Sequence, residues 1–322
     1  MPATGMSEDG RKVFPLAGKR VYVAGHAGMV GSAVARRLAA SGVAVLSAPR
    51  AALDLRDQAA VNAFLERERP DAVVIAAAVV GGIKVNAEQP ARFLHDNLAI
   101  ADNLIHGAHR AGIGRLLFLG AACMYPRLAA QPIGEDSLLT GPLEPTNEAY
   151  AVAKIAGLKL CQAYRQQHGR DYIVAVPTNL YGPGDNFSLE AGHVVPAMIR
   201  KLVEARGGPV EIWGTGTPRR EFLHVDDAAD AIVFLLERYS DPAPINIGQG
   251  HELSIRELAE TVAGLLGHGG GFRYLTDRPD GMPLKALAPS RLAAMGWTPK
   301  RDFGDGLAET IAWFRSGAAK RL

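Results

Sequence analysis

Three glycines near the start of the chain constrain its fold more than any other feature. Gly25, Gly28 and Gly31 stand three apart, directly after residues 19–24 (KRVYVA) and directly before SAVARRLAASG, whose apolar spacing is helical. In a strand–turn–helix unit each glycine has its own task. The first permits the tight turn, the second lets backbone approach a pyrophosphate, and the third lets the helix pack closely on the strand. The helix N-terminus then presents unpaired N–H groups to the phosphates. Glycines at this spacing also occur in ordinary turns. The flanking strand and helix make the pattern a dinucleotide-binding fingerprint.

The alternation continues along the chain. Residues 43–46 read as a strand, 58–68 as a helix, 71–76 (DAVVIA) as a buried strand and 90–111 as a long helix. Strand 115–119 (RLLFL) follows, then a helix through Tyr150 and Lys154 to about residue 168, then strand 172–176. This pattern predicts an α/β fold, a doubly wound parallel sheet. Ligands of such sheets bind at the carboxyl ends of the strands. GAACMYP follows the fourth strand and NLYGPGD the fifth, so both are expected to face the cofactor cleft. Past Thr178 the texture turns richer in Gly and Pro, with helices at 193–205, 226–238 and 255–266. HVDD with its helix, and INIG near Ile245, read as pieces of the first sheet returning. The expected organisation is a loose tail over 1–17 and a nucleotide-binding unit over 18–178, with segments near 222–249 returning to it. Residues 179–221 and 250–322 form a smaller interleaved substrate lobe.

Composition narrows the function classes. The 322 residues are 48% hydrophobic and 21% charged, ordinary for a globular protein. A net charge of +2 gives no field for nucleic acid or an anionic membrane. No apolar run approaches the roughly 20 residues of a membrane span. Residues 1–17 lack the apolar centre of a signal peptide. Two cysteines, Cys123 and Cys161, read as reduced thiols of a cytoplasmic protein. No metal site is expected.

Tyr150 and Lys154 stand four apart with Ala151, Val152 and Ala153 between them, so a phenol and an ammonium share one helix face. Alone the pair is weak evidence; after a dinucleotide fingerprint it gains weight. Cofactor choice is read beyond the second strand, where Ser47, Ala48, Pro49 and Arg50 hold no acid before Asp54. Arg50 suits a 2′-phosphate, which favours NADP(H) over NAD. Asp54 is expected near the adenine or as a helix cap. The plainer reading of Arg50 is a solvated loop charge.

The strings AGHAGMVGSA, AAAVVGGI, LLFLGAACMYP, LEPTNEAYAVAKIAGLKLC, PTNLYGPGDNF, HVVPAMIRK, WGTGTPRREFLHVDD and PDGMP span about residues 19–300. With the glycines and Tyr-x-x-x-Lys, they resemble the extended short-chain dehydrogenase/reductase superfamily. Within it the chain resembles the GDP-L-fucose synthase family, the GDP-4-keto-6-deoxy-D-mannose 3,5-epimerase/4-reductases. The resemblance implies a nicotinamide-dependent homodimer acting on a GDP-sugar. Cofactor contacts are then expected from Gly25, Gly28, Met29, Val30, Gly31, Arg50, Asp54, Lys154, Pro177, Asn179 and Leu180. Cys123 and His193 fall on the family's proton-transfer pair, and both groups exchange protons near neutrality. Tyr150 becomes the proton donor for reduction, its phenol lowered by the charge of Lys154, which also holds the nicotinamide ribose. Without the resemblance, Cys123 reads as a small core residue and His193 as a helix cap. For the GDP-sugar the chain offers Asn179, His193, Lys201, Trp213, Arg220 and Asp280. Arg220 suits a diphosphate and Trp213 a flat ring; their plainer readings are a surface charge and a core anchor.

The chain also departs from the family. The family's Gly-Ser-Ser-Cys is Gly120-Ala121-Ala122-Cys123, without either hydroxyl, and Ala27 stands where Arg often follows the His. Pro-Arg-Lys-x-Leu-Asp has become Pro283-Leu284-Lys285-Ala286-Leu287-Ala288. Losing one oxyanion-type donor costs about 10²–10³ in rate. The leading expectation is an NADP-dependent epimerase/reductase. Isomerisation of a GDP-sugar without net reduction (an epimerase or a pyranose–furanose mutase) and an inactive GDP-sugar-binding protein are the alternatives.

Overall fold

The computed structural model describes residues 12–278 and 280–318. Six parallel strands form the central sheet in the order β2-β1-β3-β4-β5-β9. They are β1 (Arg20–Ala24), β2 (Ala44–Leu46), β3 (Ala72–Ile75), β4 (Arg115–Leu119), β5 (Asp171–Pro177) and β9 (Ile245–Ile247). The sheet grows outward from β1 in both directions, so a topological switch point lies at the carboxyl ends of β1 and β3.

Period-two alternation along the strands feeds two cores. Val21 and Val23 of β1 and Leu117 and Leu119 of β4 join one cluster; Tyr22, Leu116 and Phe118 join the other. Helix α1 (Met29–Ala40) and α7 (Val225–Arg238) cover the first face. Helices α2 (Gln58–Glu68), α4 (Pro90–Arg110) and α5 (Glu148–His168) cover the second, with the short α3 (Ile83–Glu88) leading into α4. A third cluster serves the other lobe, built on α6 (Val194–Ala205), α8 (Ile255–Leu266) and α10 (Phe303–Arg315). There β8 (Arg219–His224) pairs with β6 (Asn179–Tyr181), β10 (Glu252–Ser254) and β12 (Leu284–Lys285). A separate pair joins β7 (Val210–Trp213) to β11 (Phe272–Leu275), and α9 (Ser290–Ala294) precedes the last helix.

Three expectations need correction. INI does return to the first sheet as β9, but the strand ending at His224 does not; it is central to the second sheet, while the helix that follows it, α7, crosses back. His224 Nδ1 accepts the Asp226 N–H at 3.2 Å, capping α7 at that crossover. NLY is likewise a strand of the second sheet rather than a loop end. Residues 1–11 of the expected tail lie outside the described residues, but 12–17 are docked. Leu16 is 2% exposed and the Phe14 N–H donates to Glu237 O at 3.0 Å.

Candidate active site

The glycine turn is tightly built. Gly25 has φ +87°, and a Cβ there would lie 2.7 Å from Ala77 backbone; one on Gly31 would lie 2.1 Å from Gly25 O. Gly28 differs: its Cβ direction is open, with Gly25 O the nearest atom at 3.5 Å. No side chain caps α1 at Gly28. The first-turn N–H groups of Met29, Val30 and Gly31 thus remain available beside a backbone with space against it, and these residues fit a dinucleotide pyrophosphate. Met29, Val30 and Leu180 each pack against the first core, and Pro177 closes β5 against Ile247. Arg50 is exposed and forms no hydrogen bond or ion pair among the described residues.

Asp54 is not a helix cap. Asp57 caps α2 by accepting the Ala60 N–H, while Asp54 binds the Arg56 guanidinium at 2.6 Å. That bond, with the Arg56 N–H, lowers the Asp54 carboxyl to about 2. Asn179 is also partly committed: its Nδ2 donates to Glu221 O at 2.9 Å. Nearby, Asp185 is buried with Oδ2 unpartnered among the described residues, and burial raises its carboxyl to about 7. Asp185 was missed in the sequence; a lone Asp in a Gly/Pro loop gives no signal of burial.

Tyr150, Lys154 and Cys123 come together beyond β4. The Lys154 ammonium donates to Leu119 O at 2.8 Å and lies over the rings of Phe118 and Tyr150, 4.7 and 5.8 Å from their centres. Burial pulls Lys154 down to about 8. The Tyr150 phenol moves the opposite way from the sequence expectation: desolvation pushes it up, with the charge at Cys123 adding to the rise. Cys123 sits on a 3-10 turn, Ala122–Met124, where burial pushes its thiol up and the ammoniums of Lys285 and Lys154 pull against that. Ala121 and Ala122 are partly exposed at the same strand end, and the Ala121 N–H meets Met124 Sδ at 3.3 Å.

His193 starts α6 without capping it, so the plain helix-cap reading fails. Its ring is exposed, yet the surrounding protein desolvates it enough to lower its imidazole. The preceding loop is tied to the start of α3 by Gly82 N–H to Ala191 O at 3.0 Å. No hydrogen bond joins His193 to Cys123 or Tyr150 among the described residues. Lys201 donates to Glu211 O at 3.1 Å. Trp213 is 62% exposed rather than a core anchor, with the Arg278 guanidinium 5.7 Å from its ring centre. Asp280 accepts from Thr215 N and Oγ1 at 2.7 and 2.8 Å, so it holds the turn after Trp213. Arg220 donates to Arg219 O and Met282 O. Beneath these, the wholly buried Glu221 accepts from the N–H groups of Gln249, Gly250 and Leu287, an anchor hidden in the sequence inside RREFLH.

Residues 21–248 match the NAD dependent epimerase/dehydratase family, and they include the glycine turn, Cys123, Tyr150, Lys154 and His193. The chain belongs to the NAD dependent epimerase/dehydratase family. Among relatives of this family member, a GDP-L-fucose synthase of Sinorhizobium fredii is 53% identical over 95% of this chain and 99% of its own length. GDP-L-fucose synthase 1 of Arabidopsis thaliana is 51% identical over 94% of this chain and 95% of its own. A solved GDP-L-fucose synthetase of Naegleria fowleri bound to NADP superposes with TM-score 0.87 at 26% identity, covering 96% of this chain and 97% of that one.

Proposed function

We propose that this epimerase/dehydratase family member is an NADP(H)-dependent enzyme that epimerises and reduces a GDP-4-keto-6-deoxy sugar. One observation carries the reading. Cys123, Tyr150 and Lys154 converge at the carboxyl end of β4, in a chain about half identical to GDP-L-fucose synthases along nearly its whole length.

The dinucleotide, when bound, supplies the hydride that reduces the keto carbon. The open backbone at Gly28 and the first-turn N–H groups of α1 hold its pyrophosphate, and Arg50 is the cation for the 2′-phosphate, without help from position 27. Cys123 and His193 handle the acidic carbons beside the carbonyl: one removes a proton, the other returns one from the opposite face. Tyr150 stays protonated because its surroundings raise the phenol, which suits it to donate to the oxygen of the reduced carbon. Lys154, fixed by Leu119 O, keeps a positive charge at the Tyr150 ring near neutrality and stabilises the phenolate left behind. The side chains of Ala121 and Ala122 donate nothing, so Tyr150 works alone on the carbonyl oxygen, at a cost of about 10²–10³ in rate. Arg220, Trp213 and Lys201 are assigned to the GDP end.

The test supplies GDP-4-keto-6-deoxymannose with NADPH and follows absorbance of the reduced nicotinamide. Oxidation is expected. No oxidation together with solvent deuterium uptake, or a rearranged GDP-sugar, would replace this reading with isomerisation lacking net reduction. Binding without any turnover would leave a GDP-sugar-binding protein. A cytoplasmic homodimer completes the proposal: α4 and α5 pack side by side and leave Leu98 and Val152 exposed, and no described helix is long and apolar enough to cross a membrane. Sedimentation velocity reads the dimer directly.

A further inference from the structure

Asn246 is the polar residue of β9, between two isoleucines, and it is wholly buried. Burying an amide is costly unless it is hydrogen-bonded, and an apolar side chain would fill the same space, so its partners say what it is for. Its Oδ1 accepts the Tyr125 hydroxyl at 2.7 Å, while Nδ2 donates to Ile133 O at 2.9 Å and to Ala288 O at 3.4 Å. Its backbone N–H donates to Glu135 Oε1 at 3.0 Å. Three segments therefore meet on one side chain and its backbone: the turn after β4, the loop through residues 133–135 and the run that follows β12. The loop and the run are also tied to each other, by Ile133 N–H to Ala286 O at 2.8 Å and Ala288 N–H to Ile133 O at 2.9 Å.

Tyr125 ends the 3-10 turn, Ala122–Met124, that carries Cys123. That turn holds itself weakly. Among the described residues its backbone bonds are Met124 N–H to Ala121 O at 3.0 Å and Tyr125 N–H to Ala122 O at 3.4 Å. The Ala121 N–H meets the Met124 thioether, a weak acceptor. The methyl side chains of Ala121 and Ala122 add no bond. At 2.7 Å the Tyr125 hydroxyl bond is shorter than any of these, and burial raises the phenol, so it stays the donor. Its acceptor is rigid, because β9 is paired with β5 along its length.

We propose that Tyr125 and Asn246 are positioning residues that act through Cys123: the edge strand β9 sets where the turn holds the thiol. Tyr125 reaches inward from the turn, and Asn246 fixes it to the nucleotide-binding sheet and to the substrate lobe at once. Neither residue touches the reacting carbons. This inference rests on the proton-transfer role proposed above for Cys123, but its first test needs no sugar.

The two buried thiols serve as each other's reference. Cys123 is 8% exposed in the turn, and Cys161 is 0% exposed in α5. Such thiols react from opened states, so alkylation by iodoacetamide, resolved at each site by mass spectrometry in ligand-free protein, reads how often each region opens. Tyr125→Phe keeps the ring and removes the brace. It is expected to speed alkylation of Cys123 about tenfold, the shift in opening that one lost hydrogen bond gives, while Cys161 reacts as in the parent. Thermal melting accompanies the variant, and Asn246→Ser, which withdraws the acceptor instead, replaces it if Tyr125→Phe does not fold. An unchanged rate at Cys123 overturns the proposal, and so does equal acceleration of both thiols, which is a general loss of stability. The second arm is solvent deuterium exchange into GDP-4-keto-6-deoxymannose. Tyr125→Phe is expected to lower kcat for exchange about 10- to 100-fold with KM and the Kd for NADPH close to the parent's. Exchange at the parent's rate also overturns the proposal. No exchange by the unmutated protein would overturn the function reading while leaving the thiol comparison standing.

Discussion

A single methyl group, added at Gly28 or at Gly31, separates cofactor recognition from folding. In Gly31→Ala the new Cβ lies 2.1 Å from Gly25 O and 2.6 Å from Gly25 C, both backbone atoms that cannot rotate away. The turn must move, at a cost of about 1–3 kcal/mol or more, as overpacking generally exacts. In Gly28→Ala the backbone, at φ −79° and ψ 167°, accepts any residue, and the nearest atom is 3.5 Å away. The fold loses only the small preference of helix N-caps for Gly over Ala. The methyl instead fills the space proposed for the pyrophosphate. Losing one charge-assisted bond there, worth about 1.5–3 kcal/mol, raises the Kd for NADPH about 10- to 150-fold. Titration calorimetry with NADPH and thermal unfolding of both variants supply the comparison. Gly28→Ala is expected to melt close to the parent and bind poorly, and Gly31→Ala to melt several degrees lower. A Gly28→Ala protein that binds NADPH like the parent, or unfolds as early as Gly31→Ala, would refute this division of labour.

Ala121→Ser returns a hydroxyl to the end of β4 and is expected to raise kcat for NADPH oxidation by up to about 10²; no gain in steady-state assay would mean that Tyr150 suffices. The Lys154 amine lies below its ordinary value, at about 8. The free enzyme therefore loses that ammonium as pH rises through about 8, and kcat/KM for the keto-sugar is expected to fall on that alkaline limb, a limb absent from Lys154→Met. Glu221→Gln leaves at least one of the three N–H groups unpaired in a buried site and is expected to lower unfolding stability by about 1–3 kcal/mol, read as a lower urea midpoint.

The first sheet was legible because buried parallel strands read as unbroken apolar runs, and DAVVIA and RLLFL carry no competing period. The second sheet was not. Its members NLY, ELS and LK are two or three residues long, too short for any pattern, and they pair across long sequence separations. The strand ending in HVDD was assigned to the wrong sheet because an apolar strand followed by a helix reads the same in either lobe. Tyr150 and Lys154 stood out by helical spacing, and Gly25, Gly28 and Gly31 by position. The helix-cap reading of Asp54 failed because a carboxylate two residues before Arg56 satisfies itself locally, a choice invisible before the loop folds. Glu221 was hidden for the converse reason: its partners lie far away in the chain, and a charge within a strand looks like ordinary solvated surface.

The late arrival of β9 sets the order in which this protein can be made. The edge of β5 that it covers is finished at Pro177, but Ile245–Ile247 emerge only after the whole of α6, β8 and α7. At about 5–20 residues per second the ribosome leaves that row of backbone groups bare for several seconds, a template for another nascent chain. The face over α1 waits longer still, since Leu292 and Trp297 complete its core. A fragment cut at residue 178 would carry the glycine turn, Cys123, Tyr150 and Lys154, yet end with an open sheet and an uncovered core. The residues of the first half proposed as catalytic thus depend for their solubility on chain made last.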